Sequence, residues 1–212
     1  MSLIKLSDNR LQDTLTLGEA EVLSVNINHP SFEGENAYVC KKLSGFYADA
    51  AMGYYSHLKK KFSAVKQGTV HKKCGAFMNW YVSFLNEKAL SLLTDVSFFD
   101  GNVRHTKRMV HNWFLEDCTL LRARQVFDVN RTARALYLDE ICSKISSGEG
   151  AHYGDGAVRL ARRHFDFENF YLTPKGVAFY YDKAQLATGA GANPAFVMPY
   201  GGVQGLNRNI LQ

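Results

Sequence analysis

No apolar run in the 212 residues approaches the roughly 20 needed to cross a bilayer as a helix. The first residues, Met1-Ser2-Leu3-Ile4-Lys5-Leu6-Ser7-Asp8, lack the hydrophobic core and small-residue cleavage site of a secretory signal. Neither a membrane anchor nor an export signal is therefore expected within the chain as written. The compartment stays open: extracytoplasmic if an export signal has been removed, otherwise cytoplasmic. Cysteine is scarce as well. Cys40, Cys74, Cys118 and Cys142 are far apart and form no C-x-x-C, which excludes a zinc ribbon or a dense disulfide framework. Buried thiols are expected, with one or two disulfides open to an exported chain.

Catalytic signatures are missing too. No G-x-S-x-G occurs, so no nucleophile elbow is expected. Gly189-Ala190-Gly191-Ala192-Asn193-Pro194 superficially matches a phosphate loop, but Pro stands where the last Gly should be and a strand, rather than a helix, is expected next. His105 and His111 share a strand face six residues apart, roughly 20 Å at strand rise, too far to share one ion. His71 and Cys74 have no second ligand pair nearby. Asp166 and Glu168, two apart and expected on one strand face, are the best pair for acid/base work, though solvated acids flanking a core strand describe them more simply. No catalytic residue, cofactor or metal ligand is assigned, and the chain is read as a non-enzyme.

What is present is an ordinary globular composition, with 46% hydrophobic and 21% charged residues, sufficient for one core with or without an extension. Net charge +5 weakly favours anionic partners without reaching a nucleic-acid-binding composition. Residues 1–18 carry few aromatics and no sustained period, and read as an irregular leader. From Glu21 to Asn28, Leu23, Val25 and Ile27 alternate with polar residues as in a strand, halted by His29-Pro30. After Gly34-Glu35-Asn36, the spacing of Val39, Leu43, Phe46, Tyr47, Ala50, Tyr54, Leu58 and Phe62 predicts one amphipathic helix of about seven turns. Gly45 and Gly53 interrupt it, either tolerated by close packing or simply weak points. Lys59-Lys60-Lys61, Lys66, His71, Lys72 and Lys73 follow as a basic cluster, best explained as solvated charge at a helix C-terminus.

A meander is expected next: Phe77–Leu85, Ala89–Phe99 and Asn102–Leu115, turning at Asn86-Glu87, Asp100-Gly101 and Glu116-Asp117, then Thr119–Ala123. In its second strand Leu90, Leu92, Val96 and Phe98 share a face suited to cover by the long helix. Asn130 is placed to cap a helix over Arg131–Ile145 that stops at Ser146-Ser147-Gly148. A Gly-rich loop leads to a short basic helix, Ala157–His164. The expected fold is α+β: an antiparallel sheet with one long helix on a face and shorter helices toward one end.

Phe165 to Tyr200 carries the strongest pattern. Glu168–Leu172 and Val177–Asp182 read as paired strands around Thr173-Pro174-Lys175-Gly176, and Ala195-Phe196-Val197-Met198 as a third strand stopped by Pro199. The "NFYLT-x-x-G" hairpin, the "YYD" exit at Tyr180-Tyr181-Asp182, a Gly-containing linker and the closing "V-x-PY" resemble the RsiV-like domain family of unknown function. That family forms the outer part of RsiV-type anti-sigma factors and stands beside the catalytic domain of PdaC-type peptidoglycan deacetylases. The resemblance implies one such domain over 19–212, of bacterial origin, acting as a non-catalytic binding or sensor module for a protein or cell-envelope glycan. Its alternative is an accessory domain of a cell-wall enzyme, or a small enzyme on the same fold. RsiV-type relatives recognise lysozyme, but their Gly-Gly-Ala-His-Gly type turn is here Asp100-Gly101-Asn102-Val103-Arg104-His105. The resemblance therefore implies the class of role and not the ligand. The candidate binding surface is Asp100, Gly101, Arg104, His105 and Arg108 with Tyr180 and Tyr181, because Arg and Tyr dominate interface hot spots. No specific nucleic-acid partner is expected, and the sequence leaves the oligomeric state open.

Overall fold

Lys5–Leu17, expected to be irregular, is a 13-residue strand, β1, paired antiparallel with β2, Ala20–Glu33. An edge strand needs only one partner and can leave one face wet, so its polar content disguised it. Leu11, Leu15 and Leu17 still turn inward, and Gly18 at φ 64° supplies the positive φ that its two-residue turn with Glu19 requires. The computed structural model describes residues 4–63, 73–148, 153–186 and 193–211. The chain is α+β, with a large antiparallel-dominated sheet in the order β1-β2-β3-β4-β5-β6 and one long helix. It divides into two compact units, Met1–Tyr81 with Thr94–Met109 and Val82–Leu93 with Val110–Gln212. Strands β3 (Cys74–Leu85), β4 (Ala89–Phe99) and β5 (Arg104–Phe114) contribute residues to both.

In the first unit β2 runs on past His29-Pro30 instead of stopping there. Its pairing with β3 covers only Leu23 to Ile27, so Pro30 lies where β2 has β1 alone as neighbour and a missing N–H is tolerated. The β2–β3 pairing is parallel, which needs a long crossover. Helix α1, Ala37–Ser63, provides it. Asn36 caps α1 by accepting from the Val39 N–H at 3.2 Å. Ala51, Leu58 and Phe62 of α1 bury Leu23, Val25, Ile27, Ala76 and Met78, with Val96 and Phe98 packed beside them. Gly45 and Gly53 do not serve close packing: both are exposed, with nothing within 4 Å of where a Cβ would stand.

In the second unit β4 is buried at every residue from Ala89 to Leu93, so both its faces are covered there rather than one. β6 (Thr119–Leu120) and a short helix, α2 (Ala123–Val126), follow. α3 (Arg131–Ser147) has Asn130 accepting from the Ala133 N–H at 2.8 Å and ends on Gly148 at φ 71°. It buries Ala133, Tyr137, Leu138, Ile141, Cys142 and Ile145 and leaves Leu136 exposed. α4 is Ala157–His164. The third strand joins β7 (Phe170–Thr173) and β8 (Gly176–Tyr180), but these form a separate antiparallel sheet, β7-β8-β9, with β9 at Ala195–Pro199. A short helix, α5 (Lys183–Leu186), leaves β8. Gly176 is required by approach: a Cβ there would stand 1.9 Å from the Met198 carbonyl oxygen.

The core of this unit is aromatic. Phe127 meets Phe170 edge-on at 5.1 Å and Phe179 at 5.5 Å, and Tyr137 lies 5.0 Å from Phe179. A buried polar chain fastens the small sheet to β4 and β5. The Ser91 hydroxyl donates to Asn112 Oδ1 and accepts from the Leu172 N–H at 2.9 Å, while Asn112 Nδ2 donates to the Phe170 carbonyl at 2.9 Å.

Candidate functional site

The Asp100-Gly101 turn forms because its side chain supplies what the backbone lacks. Asp100 Oδ1 accepts from the N–H groups of Asn102 and Val103, each at 2.9 Å, and the Asp100 N–H donates to the Val103 carbonyl at 3.2 Å. Gly101 takes φ 93°. Those two N–H donors hold the Asp100 carboxyl below the ordinary carboxylate range, with His105 adding to them. Once the turn sets the register, the side chains across the hairpin follow. Ser97 and Thr106 hydroxyls meet at 2.8 Å, and Arg108 binds Asp95 through two bonds of 2.8 and 2.7 Å.

Five of the sequence-selected residues, Asp100, Gly101, Arg104, His105 and Arg108, thus lie on one hairpin of the first unit. They differ in what they can do. Arg108 is only 14% exposed and is committed to Asp95, so it holds β5 in register. Arg104 is exposed, its guanidinium 4.9 Å above the centre of the Phe77 ring, and no carboxylate pairs with it among the described residues. Phe77 in turn lies over Gly75, where a Cβ would come within 2.8 Å of the ring. His105 Nε2 is 3.5 Å from Asp100 Oδ2, both side chains being well exposed.

Tyr180 and Tyr181 belong to the second unit. Tyr180 is half-buried with its ring 6.2 Å from Tyr171. Tyr181 is 1% exposed, donates its hydroxyl to the Ala161 carbonyl at 3.3 Å and has its pKa pushed up, first by burial. It offers no ring to a partner. Strand alternation alone explains this, since Phe179 and Tyr181 both pack into the aromatic core.

Phe77 and Asp95 were missed in the sequence, although the hairpin register pairs Asp95 with Arg108 as soon as Asp100-Gly101 is taken as the turn. Trp80 Nε1 donates to Asp8 Oδ1 at 2.8 Å. The acid pair does not form a strand-face dyad. Asp166 Oδ1 accepts from the Glu168 N–H at 2.9 Å in a turn, and Glu168 Oε2 accepts from the Ala123 N–H at 3.4 Å beside α2. Of the basic cluster, Lys59 and Lys61 lie over the rings of Tyr55 and Phe98 at 5.1 and 4.7 Å, and Lys73 pairs with Glu21. Lys66, His71 and Lys72 lie outside the described residues, as does the phosphate-loop-like run from Gly189 to Ala192. No disulfide joins the cysteines, and Cys40, Cys118 and Cys142 are buried. Burial and then the Asp100 charge raise the Cys74 thiol, which keeps it protonated rather than nucleophilic. No helix among the described residues is long and apolar enough to cross a membrane.

No family model matches the chain, and no curated protein does. Solved structures do. A DUF3298 family member from Bacteroides fragilis NCTC 9343 superposes with a TM-score of 0.70 at 14% identity, covering 98% of this chain and 96% of that one. The fold is that of DUF3298 family proteins. A second such protein, from Pseudomonas aeruginosa PAO1, gives a TM-score of 0.66 at 15% identity over 97% of this chain and 96% of that one. At these identities the DUF3298 likeness is one of fold, extending over nearly the whole chain, and it supports reading the chain as a domain of unknown function.

Proposed function

We propose that the protein is a non-catalytic binding or sensor module of RsiV-like type, engaging a protein or a cell-envelope glycan through the β4–β5 hairpin. One observation carries this reading: Arg104 is exposed, fixed over Phe77 and without a carboxylate partner among the described residues. A cation held in place loses little side-chain freedom on binding, which is how preorganised arginines become hot spots. His105 and the Asp100-Gly101 turn flank it, and Arg108 fixes the strand beneath. The resemblance over Phe165 to Tyr200 supports the class of role.

Calorimetric titration of the full chain with lysozyme and with soluble peptidoglycan fragments tests it. Saturable binding to either, weakened at least tenfold by Arg104→Ala, is expected. No binding to either ligand, or binding that Arg104→Ala leaves intact, removes the hairpin as the surface.

A further inference from the structure

Strand β1 stands at the end of the six-stranded order and has β2 on one side only among the described residues. Its pairing with β2 is regular from Lys5 to Asp13, the one irregularity lying between Leu15 and Thr16. An exposed strand of that length is a template for another strand unless its side chains forbid it. Charges normally do so. Here, when the partner is a second copy of this chain, they favour one register and oppose the two beside it.

Two copies of β1 related by a two-fold axis run antiparallel with the same face of each sheet on the same side, so a residue can oppose only one of its own parity. Centring the axis on Asn9 sets Asp8 against Arg10 of the other copy and Lys5 against Asp13, each pair occurring twice. Opposed side chains in such a pair stand about 4.5–5.5 Å apart at Cβ, close enough for ion pairs. Moving the axis by one residue toward the N-terminus opposes Asp8 to Asp8, and by one toward the C-terminus opposes Arg10 to Arg10. Both are repulsive. The central pair is free to take up its contacts: Arg10 uses only Nε on Asn28 Oδ1, at 3.1 Å, which leaves both terminal nitrogens, and Asp8 uses only Oδ1 on Trp80, whereas Asp13 already accepts from the Tyr55 hydroxyl and the Thr14 N–H, so the Asp8–Arg10 pairs carry the register.

We infer that β1 is a self-complementary edge through which two copies of the chain pair antiparallel about Asn9, joining their sheets. The interface involves one strand per copy and falls at the small end of specific contacts, so association is concentration-dependent. This is independent of the proposed ligand role, since Arg104 and β1 are separate features.

Sedimentation velocity of the full chain over a hundredfold concentration range tests it. A species of twice the 23.8 kDa chain mass is expected to grow with concentration. Arg10→Asp should weaken association at least tenfold. The double exchange Asp8→Arg/Arg10→Asp should restore it, because the charges again oppose across the axis while the internal bonds to Trp80 and Asn28 stay lost. Circular dichroism on each variant separates misfolding from dissociation. Under mild oxidation, Asn9→Cys should cross-link two chains while Ser7→Cys, which opposes Leu11, should not, with the wild type as control for Cys74. A monomer at every concentration, or a dimer indifferent to Arg10→Asp, overturns the inference.

Discussion

Two of this protein's hairpins, β4–β5 and β7–β8, use the same kind of turn chemistry for opposite ends. In the first unit the Asp100 carboxylate collects the N–H groups of Asn102 and Val103 on an exposed turn that carries Arg104 and His105. In the second the Thr173 hydroxyl accepts from the N–H groups of Lys175 and Gly176, at 3.2 and 3.1 Å, and donates to the Gly176 carbonyl, in a hairpin whose strands sink into the core. The stretch from Phe165 to Tyr200, which carries the family resemblance, therefore describes framework. The proposed surface around Arg104 and His105 lies in the other unit, where the sequence departs from that pattern. A signature can be strong because packing constrains it while saying nothing about the ligand.

The sharpest way to break that contrast is to attack the framework. Phe127 is 2% exposed and touches four other rings, Phe167, Phe170, Phe179 and Tyr137. Phe127→Ala removes a large buried ring that its neighbours cannot wholly replace, and should cost about 3–5 kcal/mol in chemical denaturation. The truncation Arg104→Ala should shift the same measurement by less than about 0.5 kcal/mol, as an exposed side chain away from the core. Comparable losses at both positions would mean that Arg104 is structural.

Next in size is the polar chain. Asn112→Ala leaves the buried Phe170 carbonyl without its donor and Ser91 without its acceptor, at about 1–3 kcal/mol for each group left unpaired. Thermal melts of Asn112→Ala and Ser91→Ala, with their double mutant, should show strong non-additivity, because both substitutions break one shared chain. Additive losses would show that the two side chains act separately.

The chain illustrates where sequence reading runs out. The long helix, the cap at Asn130, the Asp100-Gly101 turn and the Thr173 to Gly176 hairpin were legible because each depends on local periodicity or local turn chemistry. The polar chain was not, because Ser91, Asn112 and Phe170 are far apart in sequence and nothing local distinguishes a buried serine from a wet one. β1 was hidden for a related reason: its apolar residues are sparse because β2 supplies most of the hydrophobic surface. The candidate surface was half legible. Residue type selected Arg104, His105, Arg108 and Tyr181 alike, but only the register separates Arg104 and His105, which are exposed, from Arg108, which is committed to Asp95, and only burial removes Tyr181.

Smaller and opposite in sign is the effect expected on α1. Gly45→Ala and Gly53→Ala fill no occupied space and should each stabilise the protein by about 0.5–1 kcal/mol, since Gly in a helix interior costs that much relative to Ala. A midpoint shift toward higher denaturant in both variants is the expected reading. A loss at either position would reveal a contact made by the exposed helix face.

The smallest effect returns to the two turns and separates them by pH. Asp100 has a folded pKa held below 3.8 by two backbone N–H donors and His105, so its contribution to the hairpin is fully present above the ordinary carboxylate value and fades as pH falls through the lowered one. The Thr173 hydroxyl does not titrate. Amide exchange and chemical shifts followed from pH 6 to pH 2 should show Asn102 and Val103 losing protection together with a midpoint below 3.8, while Lys175 and Gly176 stay flat until the whole domain unfolds. Asp100→Asn keeps an acceptor oxygen without a titrating group and should flatten the first pair as well. An Asp100 midpoint at or above 3.8 would mean that the carboxylate is not what closes the exposed turn.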